Sequence, residues 1–167
     1  MNHHHYIDFQ FNGMGGELIS MSLLRADGAY IYFIFNELVV FDRPTMKLTV
    51  SDKVIPWVNE NVIPHLLTCP AHVQTGSRSD ATKLIEEFLS YTRSPHIVAD
   101  YPDDIAYFCG LLVTGPGTCI QAQHMTFEWL RVEPYPTSLK DAVQYNAWWN
   151  TQALVHLITQ NQIKETT

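Results

Sequence analysis

The stretch His5-Tyr6-Ile7-Asp8-Phe9-Gln10-Phe11-Asn12-Gly13 most sharply limits what this chain can become. Tyr6, Ile7, Phe9 and Phe11 supply the bulk and β-propensity of a buried strand. Side chains alternate along a strand, so Asp8 and Gln10 project from the same face. A carboxylate in such a strand is costly unless something pairs with it. Asp8 is therefore either a satisfied structural acid or part of a site, and the rest of the chain must distinguish the two.

The residues after this strand predict an antiparallel meander. Asn12 to Gly16 is a glycine-rich turn, and Glu17 to Ala26 reads as a second strand. Asp27-Gly28 is a hairpin signal, and Ala29 to Phe35 reads as a third strand. Within Asn36 to Ser51, Val39-Val40-Phe41 suggests a short edge piece. Helical spacing begins near Pro56, with Trp57, Val58, Asn61, Val62, His65 and Leu66 in phase and Pro64 limiting the run. Thr68 to Ser79 reads as loop. Asp80 is the expected N-cap of a helix through Tyr91 whose stripe is Leu84, Ile85, Phe88 and Leu89.

His96 to Ala99 is a short buried strand, and a helix is expected from about Asp103 to Leu112. Gly115-Pro116-Gly117 breaks the chain, and a last strand is expected between Cys119 and Trp129. The final helix is expected from Ser138 or Leu139 to about Gln160, with Val143, Ala147, Asn150, Leu154, Leu157 and Ile158 facing inward. The order β-β-β-α-α-β-α-β-α predicts an α/β fold. A mixed five-stranded sheet, an antiparallel meander followed by alternating strands and helices, is flanked by helices in one domain spanning 1–167.

Composition narrows the function. Net charge is −7, which argues against a broad nucleic-acid-binding surface but not against a small metal-dependent site. Cys69, Cys109 and Cys119 are odd in number and irregularly spaced, which suggests reduced thiols in a cytoplasmic protein. No apolar run approaches the roughly 18–20 residues of a membrane span, and the start lacks a signal-peptide pattern.

Acids recur at three stations, each beside an apolar element. They are Asp8 with Gln10; Asp100 with Asp103 and Asp104; and Asp141 with Asn146. Converging carboxylates suit hard ions such as Mg²⁺ or Mn²⁺. Two such ions about 4 Å apart support phosphodiester cleavage. Taken singly, Asp80, Asp103 and Asp141 are better explained as helix N-terminal acids.

The order of elements and these stations resemble the DEDD-type 3′–5′ exonucleases, which have a ribonuclease H-like fold. The chain is most similar to the small exoribonuclease-like family typified by a mycobacterial RNase. That family's Asp-x-Glu-Phe strand corresponds to Asp8-Phe9-Gln10-Phe11, and its second strand to Glu17-Leu18-Ile19-Ser20. The Trp57 to Pro64 segment resembles its first helix, and Ala99 to Asp104 its second motif. Its His-x-Ala-x-x-Asp-Ala motif falls on Asp141 to Ala147. The resemblance implies a catalytic set of Asp8, Gln10, Asp104, Asp141 and Asn146, with Asp8 and Asp104 as ligands of Mg²⁺ or Mn²⁺. It also implies that Phe11, Asn12, Asp100 and Tyr101 contact the 3′ end of single-stranded RNA or DNA.

Three positions depart from that pattern. Gln10 stands for Glu, Asn146 for the last Asp, and Asp141 for the His that acts as general base. Neutral amides coordinate a cation without charge, and a free Asp of pKa about 4 is a weak base at pH 7. Losing a general base alone costs on the order of 10²–10⁴ in rate. The expectation is an exonuclease fold with impaired or lost catalysis. The alternatives are a non-catalytic binder of nucleic acid, nucleotide or protein, and an unrelated α/β interaction protein. Trp148, Trp149, Tyr101, Tyr145 and Phe11 are core residues or base-stacking platforms. Because Trp148 and Trp149 cannot share one helix face, a homodimer is a further expectation.

Overall fold

A computed structural model describes residues 4–120, 124–136, 138–139 and 141–165. Strands β1 (His4–Phe11), β2 (Leu18–Arg25) and β3 (Tyr30–Phe35) form the expected meander. Asp8 stands opposite Ser22, and Ser22 opposite Tyr32. Period-two alternation decides the faces. Ile7, Phe9, Met21, Leu23, Ile31 and Phe33 enter one core. Tyr6, Leu24 and Tyr32 enter another on the opposite side. The tight turn after β1 needs its glycines: Gly13 and Gly15 have φ of +79° and +68°. A Cβ on Gly16 would lie 2.2 Å from the Asn12 carbonyl oxygen.

Helix α1 (Pro56–Asn61) is short, and a 3-10 turn over Ile63–His65 succeeds it. The expected helix into Leu66 thus breaks just before Pro64, whose ring cannot sit in a continuing helix. Strand β4 (Val39–Asp42) is more than an edge piece, because it forms a separate hairpin with β5 (Lys47–Val50). The hairpin and α1 cover Ile19 and Ile34 in a third core.

The main sheet has six strands, not the expected five. Val73–Gly76, within the segment expected as loop, is β6 and pairs in parallel with β3. It is four residues long and at the sheet edge, too short to show a period in the sequence. Helix α2 (Arg78–Ser90) comes next, capped by Ser77 and not by Asp80. Asp80 is the third helical residue, and its carboxylate reaches back to the Ser77 N–H at 3.0 Å. Strand β7 (His96–Ala99) pairs in parallel with β1 and leads into helix α3 (Pro102–Leu112).

Gly115-Pro116-Gly117 is the bend of a small hairpin, β8 (Val113–Gly115) with β9 (Thr118–Cys119). Strand β10 (Thr126–Trp129) pairs in parallel with β7. Residues 121–123 of the segment expected to hold this strand lie outside the described residues, as does residue 140 near the expected start of the last helix. The sheet order is β10-β7-β1-β2-β3-β6, with only β2 antiparallel to its neighbours. Helices α2 and α3 cover one face, joining Ala81, Ile85, Leu89, Phe108 and Leu111 to the first core.

The last helix, α4 (Ala147–Glu165), covers the other face and starts later than expected. Asp141 and Tyr145 both have φ of +62°, a left-handed geometry that no α-helix accommodates. Asn146 then caps the helix, its Oδ1 accepting the Trp149 N–H at 3.2 Å. Ala147 and Leu154 of the expected inner stripe are buried, joined by Trp148 and Thr151. Val143 falls outside the helix. Among the described residues no helix is long and apolar enough to cross a membrane.

Candidate functional site

The site is built where β1 and β7 end side by side. Ile7 pairs with Ala99, so the next residues, Asp8 and Asp100, come level on adjacent parallel strands. Pro102 starts α3 immediately beyond and brings Asp104 round in the first helical turn. Asp8, Asp100 and Asp104 each offer an oxygen within 4.8 Å of the others. They line a cleft of about 420 Å³ together with Phe9, Gln10, Phe11, Trp57, Val62, Tyr101, Tyr145 and Asn150.

The hydrogen bonds here are unequal. Asp8 is buried, and both its oxygens are engaged: Gln10 Nε2 donates to Oδ2 at 2.8 Å and Asn150 Nδ2 to Oδ1 at 3.0 Å. Asp104 is 1% exposed. Its Oδ1 accepts the Phe9 N–H at 3.0 Å, while its Oδ2 is buried with no partner among the described residues. Burial pushes the Asp104 carboxyl up to about 8, assisted by the charge of Asp100. Burial likewise pushes Asp100 up to about 6. Asp8 is driven well above the carboxylate range by burial, then by Asp104 and Asp100. Among the described residues, none of these influences comes from a basic side chain.

An apolar interior holds like charges together only if a counter-charge arrives or protons remain. The donors are hard oxygens, and one buried oxygen is unpartnered. That is the chemistry of a site for a small divalent cation.

The expected site residues divide into two groups. Asp8, Gln10, Asp104, Phe11, Asp100 and Tyr101 share the cleft. Asn12, Asp141 and Asn146 are absent from its lining. The Asn12 carboxamide is occupied in bonding the Lys53 carbonyl at 3.0 Å and the Ile55 N–H at 2.9 Å, which fixes the approach to α1. Asp141 is exposed on a left-handed turn. Asn146 is buried one turn of helix before Asn150, and its Nδ2 donates to the Tyr32 hydroxyl and the His65 carbonyl. Trp148 packs edge-on against Tyr30 with ring centroids 4.6 Å apart, and Trp149 Nε1 donates to the Thr68 carbonyl.

Sequence reasoning placed Asn150 on an inner stripe but missed its contact with Asp8. The signal was present: Asn146 and Asn150 are four apart, and only the helix start decides which one faces β1. Tyr145, expected near the cleft, lines it, and Trp57, expected only as a helix residue, lines it too. Their rings meet edge-on at 5.2 Å at the cleft, and each remains well exposed. Tyr135 is a further neighbour, its phenol pKa raised by burial and then by the charges of Asp8 and Asp100. No protein-family model and no curated protein matches the chain.

Proposed function

We propose that this protein is a ribonuclease H-like, 3′–5′ exonuclease-like domain. On this reading it binds one divalent cation, Mg²⁺ or Mn²⁺, and the 3′ end of a short single-stranded RNA or DNA, with catalysis impaired. One observation carries the reading: among the described residues, three carboxylates converge where one buried oxygen has no partner and no basic side chain acts on them. The sheet supports it too. Its antiparallel β1–β2–β3 meander, continued by parallel strands alternating with helices, agrees with the order that the resemblance implies.

The donor set suits one ion, held by Asp8, Asp100 and Asp104. Such an ion supplies Lewis-acid polarisation of a phosphoryl oxygen and neutralises its charge. The exposed rings of Trp57, Tyr101 and Tyr145 border the cleft and offer faces on which bases stack, at about 1–3 kcal/mol per base. The acidic surface favours a ligand of a few nucleotides over a long strand that needs many cationic contacts.

The contact between Asn150 and Asp8 also shifts the last motif. The family pattern His-x-Ala-x-x-Asp reads four residues later as Tyr145-Asn146-Ala147-Trp148-Trp149-Asn150. Asn150, not Asn146, then stands for the metal-binding Asp, and Tyr145, not Asp141, for the general base. A free phenol of pKa about 10 is a poor base near pH 7. The neutral Gln10 and Asn150 favour binding over turnover.

The deciding experiment incubates 5′-labelled and 3′-labelled RNA and DNA oligonucleotides with the protein and Mn²⁺, with Asp8→Ala as control, and measures binding by anisotropy. The expected outcome is Mn²⁺-dependent binding of a free 3′ end with trimming slow or absent. Failure to bind both Mn²⁺ and oligonucleotide would sink the proposal.

A further inference from the structure

Resting on the cation reading above, we infer that the Gln10 and Asn150 carboxamides act as built-in substitutes for a second cation, so that the cleft takes a single divalent ion on its Asp100–Asp104 side. Asp8 presents two oxygens, and each already receives one amide N–H, from Gln10 at 2.8 Å and Asn150 at 3.0 Å. The two amides arrive from different elements. Gln10 lies on the same strand face, two residues along β1, and Asn150 lies on the first turn of α4. Together they hold the Asp8 carboxylate from both sides, by the same type of charge-assisted bond.

The other flank is organised differently. Asp104 Oδ2 is buried and unpartnered, though its Oδ1 is fixed by the Phe9 N–H. Asp100 is half-buried at the end of β7. An ion entering the cleft finds unpartnered carboxylate oxygen there, whereas on the Gln10–Asn150 flank each Asp8 oxygen already accepts an amide N–H and the carboxamides turn donors to it, leaving room for Asp8 to share the Asp100–Asp104 ion but not to gather a second.

Charge leads to the same conclusion. Three carboxylates neutralise one divalent ion with a negative surplus. Two divalent ions about 4 Å apart repel with four times the energy of two unit charges. A second ion therefore needs further anionic ligands, and amides at positions 10 and 150 supply none. They do supply donors, which satisfy the buried Asp8 without any ion. The cleft is thereby preorganised for one ion instead of two.

The test counts ions. Mn²⁺ titration followed by calorimetry and by the electron paramagnetic signal of free Mn²⁺ is run on the intact protein and on the isosteric double variant Q10E/N150D. One ion bound by the native protein and two by the double variant, the second with the broadened signal of a coupled pair, is the expected result. Two ions in the native protein, or one in both proteins, overturns the inference and leaves the cation reading standing. No ion in the native protein overturns both.

A second measurement needs no variant, should the added charges unfold the protein. The Gln10 and Asn150 side-chain N–H resonances are followed by nuclear magnetic resonance as Mg²⁺ is added. Persistence of both hydrogen-bonded N–H signals at saturation supports the inference. Their loss, as the amides turn their oxygens to the ion, refutes it.

Discussion

Two buried polar clusters lie one helical turn apart on the same face of the sheet, and they are built on opposite principles. Around Asn146, every contact is between neutral groups with complementary roles. Its Nδ2 meets the Tyr32 hydroxyl at 3.2 Å and the His65 carbonyl at 2.6 Å, and its Oδ1 accepts the Trp149 N–H. The Tyr32 hydroxyl in turn donates to the Leu66 carbonyl at 2.7 Å. Around Asp8, three like-charged groups share a pocket, and Asp104 keeps one oxygen without a partner. The first cluster fastens α4 and the 3-10 turn to β3. The second is a local liability that only protons or a cation relieve. Identical chemistry, an Asn on α4 reaching to the sheet, serves anchoring in one place and preorganisation in the other.

The largest expected effect breaks this contrast at Asp104. Above about pH 8, where the Asp104 carboxyl gives up its proton, Asp104→Asn removes a buried like charge, so the cation-free protein is expected to be more stable there by about 1–3 kcal/mol. The same change removes a charged ligand and is expected to lower Mn²⁺ affinity by roughly 10³-fold, or about 4 kcal/mol. Calorimetry and thermal unfolding check the two halves. Loss of stability with unchanged Mn²⁺ binding would make Asp104 structural, like Asn146.

The matching change in the neutral cluster has the reverse signature. Asn146→Ala deletes a helix cap and leaves the Trp149 N–H short of a partner, while the His65 carbonyl keeps the Thr68 N–H and hydroxyl as donors. The expected cost is about 2–3 kcal/mol, or a fall of about 5–10 °C in Tm. Mn²⁺ affinity of the folded variant should stay within about twofold, as the cluster adds no charge to the cleft. Tenfold weaker Mn²⁺ binding would mean that the two clusters are coupled through α4.

The pH dependence sharpens the comparison further. Asp104 and Asp100 have carboxyl pKa values pushed up to about 8 and about 6, and Asp8 is displaced the same way. All three exceed the value near 4 of an unfolded chain. Between about pH 4 and 8 the folded chain retains protons that the unfolded chain gives up. The cluster's contribution is therefore full at the acidic end and is lost as pH rises through 6 and 8. In chelator, Tm should fall by on the order of 5 °C from pH 5 to pH 8. Saturating Mn²⁺ should remove most of that fall, because an ion replaces the missing protons. A fall that Mn²⁺ leaves intact would place its origin outside this cleft.

These contrasts show what the sequence could and could not convey. The meander was legible because Tyr6 to Phe11 carries a strict period of two and Asp27-Gly28 marks the hairpin. Placing Asp8 and Gln10 on one strand face came directly from that period, and both line the cleft. Asp100 and Asp104 were legible as a station because a buried strand ends immediately before them. β6 was not legible, since four residues at a sheet edge, three half-buried and Thr75 exposed, show no period. The start of α4 was not legible either. Residues 138–146 carry no proline or glycine, and left-handed turns at Asp141 and Tyr145 have no strong sequence signature. That single boundary moved the expected contact with the site from Asn150 to Asn146, because a helix presents residues four apart on nearly the same face. The gathering of three carboxylates on one unpartnered oxygen is a tertiary fact that no local pattern carries.

The smallest expected effect tests whether the clusters are separable where they come closest. Ser22 lies opposite Asp8 across the β1–β2 pair, and its hydroxyl meets the Thr151 hydroxyl at 2.9 Å. Thr151 has one hydroxyl proton, and it is given to the Trp148 carbonyl at 2.8 Å. Ser22 must then be the donor in the pair. Ser22→Ala removes that donor but leaves the Thr151 proton satisfied, so only an acceptor lone pair goes unmet. The expected cost is about 0.5–1 kcal/mol, a shift of about 2–3 °C in Tm. Mn²⁺ affinity should not move, because Asp8 already has both oxygens engaged by Gln10 and Asn150. A Tm loss above that for Asn146→Ala, or an altered Mn²⁺ affinity, would show that Ser22 holds Asp8 in place. The division between the anchoring cluster and the carboxylate cluster would then have to be redrawn through β2.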